Sequence, residues 1–209
     1  MSAVDVQTGP EPITDAALAV HGETILTVQP GQVRFSDRIG RPLRTMTVPG
    51  GAAPTVALSG DGRMLATADG SNDVVLWDVW SNQRLGLPLH LDAYRLDRAR
   101  FSPTGTTVLT VGPGGATLWD TASRATVHTL DSGHTAPVTG GAYSRDGDLL
   151  ATVGADQRIV LWSAATGRPV GPPLSGHGEA VVSIAFSPDA KTFATGDDKG
   201  SVCLWELTR

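Results

Sequence analysis

The sequence predicts an all-β protein in which one short-stranded repeat is written five times. Two stretches, 132–162 and 175–205, spell nearly the same sentence: SGHTAPVTGGAYSRDGDLLATVGADQRIVLW and SGHGEAVVSIAFSPDAKTFATGDDKGSVCLW. In both, 28 residues separate the His (His134, His177) from the Trp (Trp162, Trp205). Backward steps of 43, 43 and 42 residues from Trp205 reach Trp162, Trp119 and Trp77. A further 42 reaches Phe35, in QVRFSD, where an aromatic again comes ahead of an Asp. The segments before these aromatics alternate with period 2 and are rich in β-branched residues, and no helical apolar period competes with them. A repeat of about 40 residues is the mark of a propeller or solenoid.

The steps divide one domain, 1–209, into repeats at about 10–48, 49–90, 91–131, 132–174 and 175–209. Each opens with a short apolar strand: Ala16-Leu18, Val56-Leu58, Ala99-Phe101, Gly141-Tyr143 and Ile184-Phe186. A turn follows: HGE, SGDGR, SPTGT, SRDGD and SPDAK. Gly22, Gly62, Gly105 and Gly147 share one place in it, where a tight hairpin wants a left-handed residue. Ala190 stands there in the fifth copy, so its turn is expected to be strained or of another type. A second strand ends in small residues and Thr: Thr27, Thr67, Thr110, Thr152 and Thr195. The third strand carries the aromatic.

A more polar fourth segment follows in the first four copies: Arg41-Val48, Arg84-Leu89, Arg124-Leu130 and Arg168-Leu174. Pro42, Pro88, Pro169, Pro172 and Pro173 sit in these segments. Proline fits an edge strand, where no ladder partner needs its missing N–H. The fifth copy stops at Arg209 without a fourth strand, while residues 2–8 (SAVDVQT) are a surplus strand ahead of the first. One strand is offered and one is wanted, so residues 2–8 are expected to close the last sheet as a latch.

Composition bounds the function. Apolar residues make up 40% and charged residues 18%, which fits a folded chain and not a disordered one. The net charge of −5 argues against nucleic acid as the main partner. Two local exceptions are Arg34, Arg38, Arg41 and Arg44, and Arg95, Arg98 and Arg100, both read as solvated strand faces, with a phosphate or acidic-partner site as the lesser alternative. Cys203 is the lone cysteine, so the chain forms no internal disulfide and no cysteine-based metal site, and the cytoplasm is the expected compartment. No apolar run is long enough to span a membrane.

These residues resemble the WD40 repeat. The resemblance rests on Gly133-His134, SRDGD, Asp156 and Trp162, and on His177, SPDAK and Trp205 with Glu206 in place of Asp. Trp77-Asp78 and Trp119-Asp120 keep the WD dipeptide itself. The wording GPPLSGHGEAVVSIAFSPD is similar to repeats of many bacterial multi-repeat WD40 proteins. The resemblance implies a β-propeller of four-stranded antiparallel blades. It also implies a buried hydrogen-bonded set in each blade, made of His, Ser or Thr, Asp and Trp. The fourth copy has the full set, His134, Thr152, Asp156 and Trp162. The fifth has His177, Thr195 and Trp205, with Lys199 where Asp156 stands and Asp198 as the expected substitute. The second keeps Thr67 and Trp77, the third Thr110, Trp119 and, roughly placed, His90, and the first Thr27 beside Phe35. The first copy is therefore expected to be the least stable. Seven blades are usual and five are countable here, so a five-bladed ring, a ring shared with another chain and a partly open propeller all stand as alternatives.

No catalytic, cofactor or metal site is expected. His134, Thr152 and Asp156 are the residue types of a hydrolytic triad, but the repeat buries all three, and a triad needs an exposed nucleophile and an oxyanion pocket. Asp69-Gly-Ser-Asn-Asp73 lacks the later ligands of a calcium loop. Gly112-Pro-Gly-Gly115 lacks a phosphate loop's Lys and following helix. The expected function is a non-catalytic scaffold that binds protein or peptide through loops on a propeller face, as a monomer without cofactor. The alternatives are a hydrolase or lyase using a central channel, and a regulatory sensor module. Tyr94, Arg95, Trp80 and Glu179 are the candidate partner-binding residues, because exposed Trp, Tyr and Arg anchor interfaces.

Overall fold

A computed structural model describes residues 13, 15–19, 24–29, 31–48, 55–68, 72–91, 96–130 and 133–207. Among them every regular element is a strand, and the strands form five antiparallel sheets. The chain divides into two compact units, Met1–Asp92 and Ala93–Arg209. The first unit holds two sheets. One joins β1 (Asp15–Ala19), β2 (Thr24–Gln29), β3 (Gln32–Asp37) and β4 (Pro42–Thr47) in sequence order. The other joins β5 (Thr55–Leu58), β6 (Met64–Ala68) and β7 (Asp73–Asp78), with β8 (Gln83–Arg84) and β9 (Leu89–His90) both paired to β7.

The second unit holds three sheets. The third sheet is β10 (Arg98–Phe101), β11 (Thr107–Gly112), β12 (Gly115–Asp120) and β13 (Thr126–Leu130). The fourth is β14 (Val138–Tyr143), β15 (Leu149–Gly154), β16 (Arg158–Ser163) and β17 (Leu174–Ser175). The fifth is β18 (Val181–Phe186), β19 (Thr192–Asp197) and β20 (Val202–Glu206). It has three strands among the described residues, and the expected 2–8 latch lies outside them.

Proline and glycine set the shape of the outer strands. In the second sheet the outer strand is split by Gly86-Leu87-Pro88, with Arg84 opposite Trp77 and Leu89 opposite Val74. The fourth sheet repeats this, with Pro169 opposite Trp162, Leu174 opposite Ile159, and Gly171-Pro172-Pro173 between. A ladder cannot run through residues that lack an N–H.

The turn joining the first two strands of a sheet is the same in the last four sheets. Ser59, Ser102, Ser144 and Ser187 open it, their amides donating to the carbonyls of Met64, Thr107, Leu149 and Thr192. Three of these hydroxyls bond the Asp two residues on: Asp61 at 2.6 Å, Asp146 at 2.5 Å and Asp189 at 2.6 Å. The fourth turn residue has φ of 72° at Gly62, 74° at Gly105 and 81° at Gly147, and 54° at Ala190. The fifth copy thus keeps the turn type and holds an L-residue in the left-handed region.

The packing of each unit follows strand alternation. In the second unit, Leu109, Val111, Ala116, Leu118 and Leu130 cover Leu150, Val160 and Trp162 of the fourth sheet. Val153 and Ile159 cover Phe193 and Trp205 of the fifth. In the first unit, Leu26, Val28, Val33, Phe35 and Met46 cover Leu65, Val75, Trp77 and Val79.

This corrects the register of the first copy. Leu26 pairs Phe35, Val28 pairs Val33 and Val33 pairs Met46, as Leu109 pairs Leu118, Val111 pairs Ala116 and Ala116 pairs Leu130. The bulge between Phe35 and Ser36 matches the bulge between Leu118 and Trp119. The place of the repeated Trp is therefore held by Ser36, which is buried, and not by Phe35. Neighbouring strand residues point to opposite faces, so Phe35 faces the second sheet, where Leu118 of the third faces the fourth.

The turn comparison sets a stability test. Ala190→Gly is expected to stabilise the protein by about 0.5–1 kcal/mol, because Gly enters the left-handed region without a Cβ penalty. Gly147→Ala is expected to destabilise it by about 1 kcal/mol. Urea unfolding midpoints of the two variants should move in opposite directions.

Candidate functional site

The chemistry-bearing residues of the repeat meet inside the sheets. Each repeated Trp on a third strand donates its indole N–H to a Thr hydroxyl on the second strand. The distances are 2.8 Å for Trp77 to Thr67, 2.8 Å for Trp119 to Thr110, 2.9 Å for Trp162 to Thr152 and 2.8 Å for Trp205 to Thr195. Thr lies two residues along from the residue opposite the Trp, so both side chains emerge on one face. In the first sheet Ser36 brings no indole. Thr27 Oγ1 is buried there with no hydrogen-bond partner.

In the fourth and fifth sheets the pair extends to a His and a carboxylate. His134 Nε2 lies 2.9 Å from Thr152 Oγ1, and its Nδ1 lies 3.0 Å from Asp156 Oδ1. His177 Nε2 lies 2.7 Å from Thr195 Oγ1, and its Nδ1 lies 3.0 Å from Asp197 Oδ2. One proton arrangement satisfies every group. Trp N–H donates to the Thr oxygen, Thr O–H donates to His Nε2, and His Nδ1–H donates to the carboxylate.

The carboxylate of the fifth sheet corrects the expectation of Asp198. Asp197 supplies it, from the end of β19 and two residues beyond Thr195. Strand alternation explains the choice, since residues 195 and 197 share a face and 198 begins the turn. The fourth sheet reaches the same point differently. Asp156 comes back from the hairpin, and Gly154 stands at the strand position that Asp197 fills. A Cβ on Gly154 would lie 2.6 Å from Asp156 Oδ1 and 2.7 Å from His134 Nδ1. Gly176, just before His177, makes room in the same way, since a Cβ there would meet the Trp205 ring at 2.9 Å.

The electrostatics favour a charged carboxylate at both points. Burial works against the Asp156 anion, but the Thr135 amide, the His134 ring and the Arg158 amide outweigh it and hold its carboxyl below the ordinary Asp value of 3.8. For Asp197 the bond from His177 is the largest cause, joined by the Ser201 and Lys199 amides against burial, and its carboxyl is also lowered from 3.8. Burial pushes the nearby Tyr143 phenol up to about 12, against its hydrogen bond to Thr107.

Thr, His and Asp stand here in the order of a hydrolytic triad, but the oxygen is enclosed. Thr152 is fully buried, the His134 and Asp156 side chains are 6% and 3% exposed, and Trp162 already occupies Thr152 Oγ1. His90 does not join the third sheet. It lies on β9 of the second, 2.7 Å from Asp73 across the strand pair. Among the described residues no group of three or more His, Cys, Asp or Glu is placed to hold a metal.

The candidate partner-binding residues divide between the two ends of the repeat. Trp80 sits in the turn after β7, at the end of its sheet that carries the β5–β6 turn, and is 76% exposed. Its ring is therefore open to solvent. Asp78 caps this turn, accepting the Ser81 amide and hydroxyl, both at 2.7 Å, as Asp120 does for Ser123. Glu179 is exposed and precedes β18, at the opposite end of its own sheet. Tyr94 and Arg95 lie outside the described residues. In the second unit a cavity of about 130 Å³ opens beside the first strands of three sheets, lined by Arg98, Arg100, Gly140, Gly141, Val182, Ser183 and Ile184.

Two comparisons with known proteins bear on this geometry. The family model described as "WD domain, G-beta repeat" matches residues 124–163 and 167–206. These spans hold the fourth and fifth sets of His partners. A stretch of 49 residues is 47% identical to "Protein NEDD1" of Mus musculus, covering 23% of this chain and 7% of that protein.

Two tests follow from the buried set. Thr152→Val leaves the Trp162 N–H and His134 Nε2 unpaired and is expected to cost about 2–3 kcal/mol. Thr27→Val removes a hydroxyl that has no partner and is expected to stay within about 0.5 kcal/mol of the parent, or above it. Chemical unfolding of the pair measures the contrast.

The second test is acid stability. A depressed carboxyl contributes stability that is fully present above its ordinary value of 3.8 and is lost as pH falls through its lower folded value. Asp156→Asn is therefore expected to be less stable at neutral pH and to lose less stability below pH 3.8. Unfolding free energies collected across that window give the two slopes.

Proposed function

We propose, for a chain that the repeats at 124–163 and 167–206 place in the WD40-repeat family, that it is a platform binding protein or peptide partners through the loops and hairpins at the ends of its sheets. Proteins of this family are in general interaction scaffolds. The observation that carries the reading is where the reactive side chains go. His134, Thr152 and Asp156, with His177, Thr195 and Asp197, are consumed by one another inside the sheets. The side chains left for recognition stand at the sheet ends, where Trp80 and Glu179 are exposed. A rigid frame with contact residues on its connections is a common arrangement for recognition without chemistry.

An enzyme using a channel pocket would need convergent carboxylates or histidines. The lining of the second unit's cavity has two arginines and neither of those groups. That favours binding over catalysis. The single cysteine and the net charge of −5 support a cytoplasmic chain with protein rather than nucleic acid as its partner.

The test is direct binding. A protein recovered on the immobilised chain is purified and its affinity measured by calorimetry. Trp80→Ala, Glu179→Ala or the pair Tyr94→Ala with Arg95→Ala is expected to weaken it about ten-fold or more. Retention of no protein, or an affinity untouched when all four are replaced together, would remove the reading.

A further inference from the structure

We propose that the outer corner of the first unit, where Ile39, Leu43 and Trp80 stand among Arg41, Arg44 and Arg63, docks an acidic segment of a protein partner that carries apolar anchors. The inference rests on the protein-binding function above and names the chemistry of the partner.

The topology brings these residues to one edge. Ile39 is three residues beyond Ser36 and Trp80 three beyond Trp77, so they tip equivalent hairpins of two sheets packed face to face. Three observations tie the corner together. Phe35 and Val79 share one core cluster beneath it. Arg44 lies 5.3 Å over the Phe35 ring, and its charge also helps to lower the Asp78 carboxyl on the next sheet. The Val79 amide donates to the Arg63 carbonyl at 2.8 Å, which sets Arg63 beside Trp80.

The corner is apolar and basic at once. Ile39 is 53% exposed, Leu43 59% and Trp80 76%, and Arg41 and Arg63 are exposed. Residues 34–44 hold four arginines and one Asp, a local charge of +3 in a chain of net −5. Three carboxylates stand nearby and each is engaged. Asp37 accepts the Ile39 and Arg41 amides at 3.0 and 2.8 Å, Asp78 accepts the Ser81 amide and hydroxyl, and Asp61 accepts the Ser59 hydroxyl and the Arg63 amide and lies 3.9 Å from the Arg63 guanidinium, leaving five arginines against three carboxylates.

Charge complementarity then selects the occupant. A nucleic acid or an anionic membrane presents a broad negative surface to the whole chain, and the chain's net charge opposes it. A short acidic segment senses the field only within a Debye length of about 8–10 Å, where it is positive. Aliphatic or aromatic residues in that segment would cover Ile39, Leu43 and Trp80.

Fluorescence anisotropy of a labelled dodecapeptide alternating Glu with Leu and Phe tests the proposal. Matched peptides carry Gln for Glu, or Ser for the apolar residues. Oligothymidine and vesicles of equal parts phosphatidylcholine and phosphatidylserine serve as competitors. The acidic apolar peptide is expected to bind at least about ten-fold tighter than either matched peptide. Trp80→Ser is expected to weaken it by about ten-fold. Arg41→Glu with Arg63→Glu is expected to abolish it and to favour the same peptide with Lys for Glu, while Arg41→Lys with Arg63→Lys retains binding. The Lys variant and a thermal melt of each protein separate lost binding from lost fold.

No binding, equal binding of the Gln peptide, or displacement by oligothymidine or vesicles in preference to the unlabelled acidic peptide overturns the proposal. The same charge-reversed protein is then titrated with the purified partner. Unchanged affinity leaves the platform function standing and removes this corner from it. Failure of the parent chain to bind any protein removes the function itself.

Discussion

The structure depends on a single kind of hydrogen bond, from a tryptophan indole on a third strand to a threonine hydroxyl on the second. It is made four times within 0.1 Å, at 2.8 or 2.9 Å, inside sheets that otherwise bury aliphatic side chains. Its value lies in what it forbids. A slip of one residue between the two strands would turn one partner to the opposite face, leaving an N–H and a hydroxyl buried and unpaired. The bond therefore fixes register as well as adding stability. The first sheet shows the consequence of its loss: Ser36 stands in for the indole, and Thr27 keeps a buried oxygen with no partner.

The fourth and fifth sheets extend that bond outward, and they reveal that the requirement is a location rather than a position in the sequence. A carboxylate is needed beyond His Nδ1. One sheet brings it back from the hairpin as Asp156 and keeps Gly154 bare, because a Cβ there would strike both partners. The other places Asp197 directly on the strand and leaves Lys199 free to differ. The two solutions exclude each other sterically. That is why two neighbouring copies with the same chemistry do not align residue for residue at this point.

The sequence made the architecture legible for a physical reason. Tryptophans at 42 or 43 residue steps, left-handed Gly62, Gly105 and Gly147 in the turns and prolines in the outer segments each report one backbone demand, and the sheets carry them where expected. The failures are also physical. Phe35 was the aromatic at the expected step, but matching residue type ignored alternation, and the face it occupies is that of Leu118. The same rule would have separated Asp197 from Asp198, since only the former shares a face with Thr195. Ala190 is legible as an exception, and of the two outcomes expected for it the strained turn is the one found, with the bonds of Ser187 holding an alanine at φ 54°. Exposed residues such as Trp80 carry no periodicity at all, so it is the folded structure that shows its ring uncovered.

The same frame that uses up the polar groups also shapes what the surface can do. At the His-bearing end of the fourth sheet, the entry loop is pinned, because Asp156 takes both the His134 ring and the Thr135 amide. In the second sheet, Asp78 ties the turn beneath Trp80 through the Ser81 amide and hydroxyl, and the indole is left outside. A large side chain held on a capped turn loses little freedom when a partner covers it, and that lowers the entropy cost of association. Burying the indole would return apolar area to a dry surface at about 25 cal/mol per Å². The buried hydrogen bonds and the exposed anchor are thus two results of one design constraint. In the fourth and fifth sheets the buried polar residues satisfy one another, so the side chains open to a partner are those that the repeat does not use.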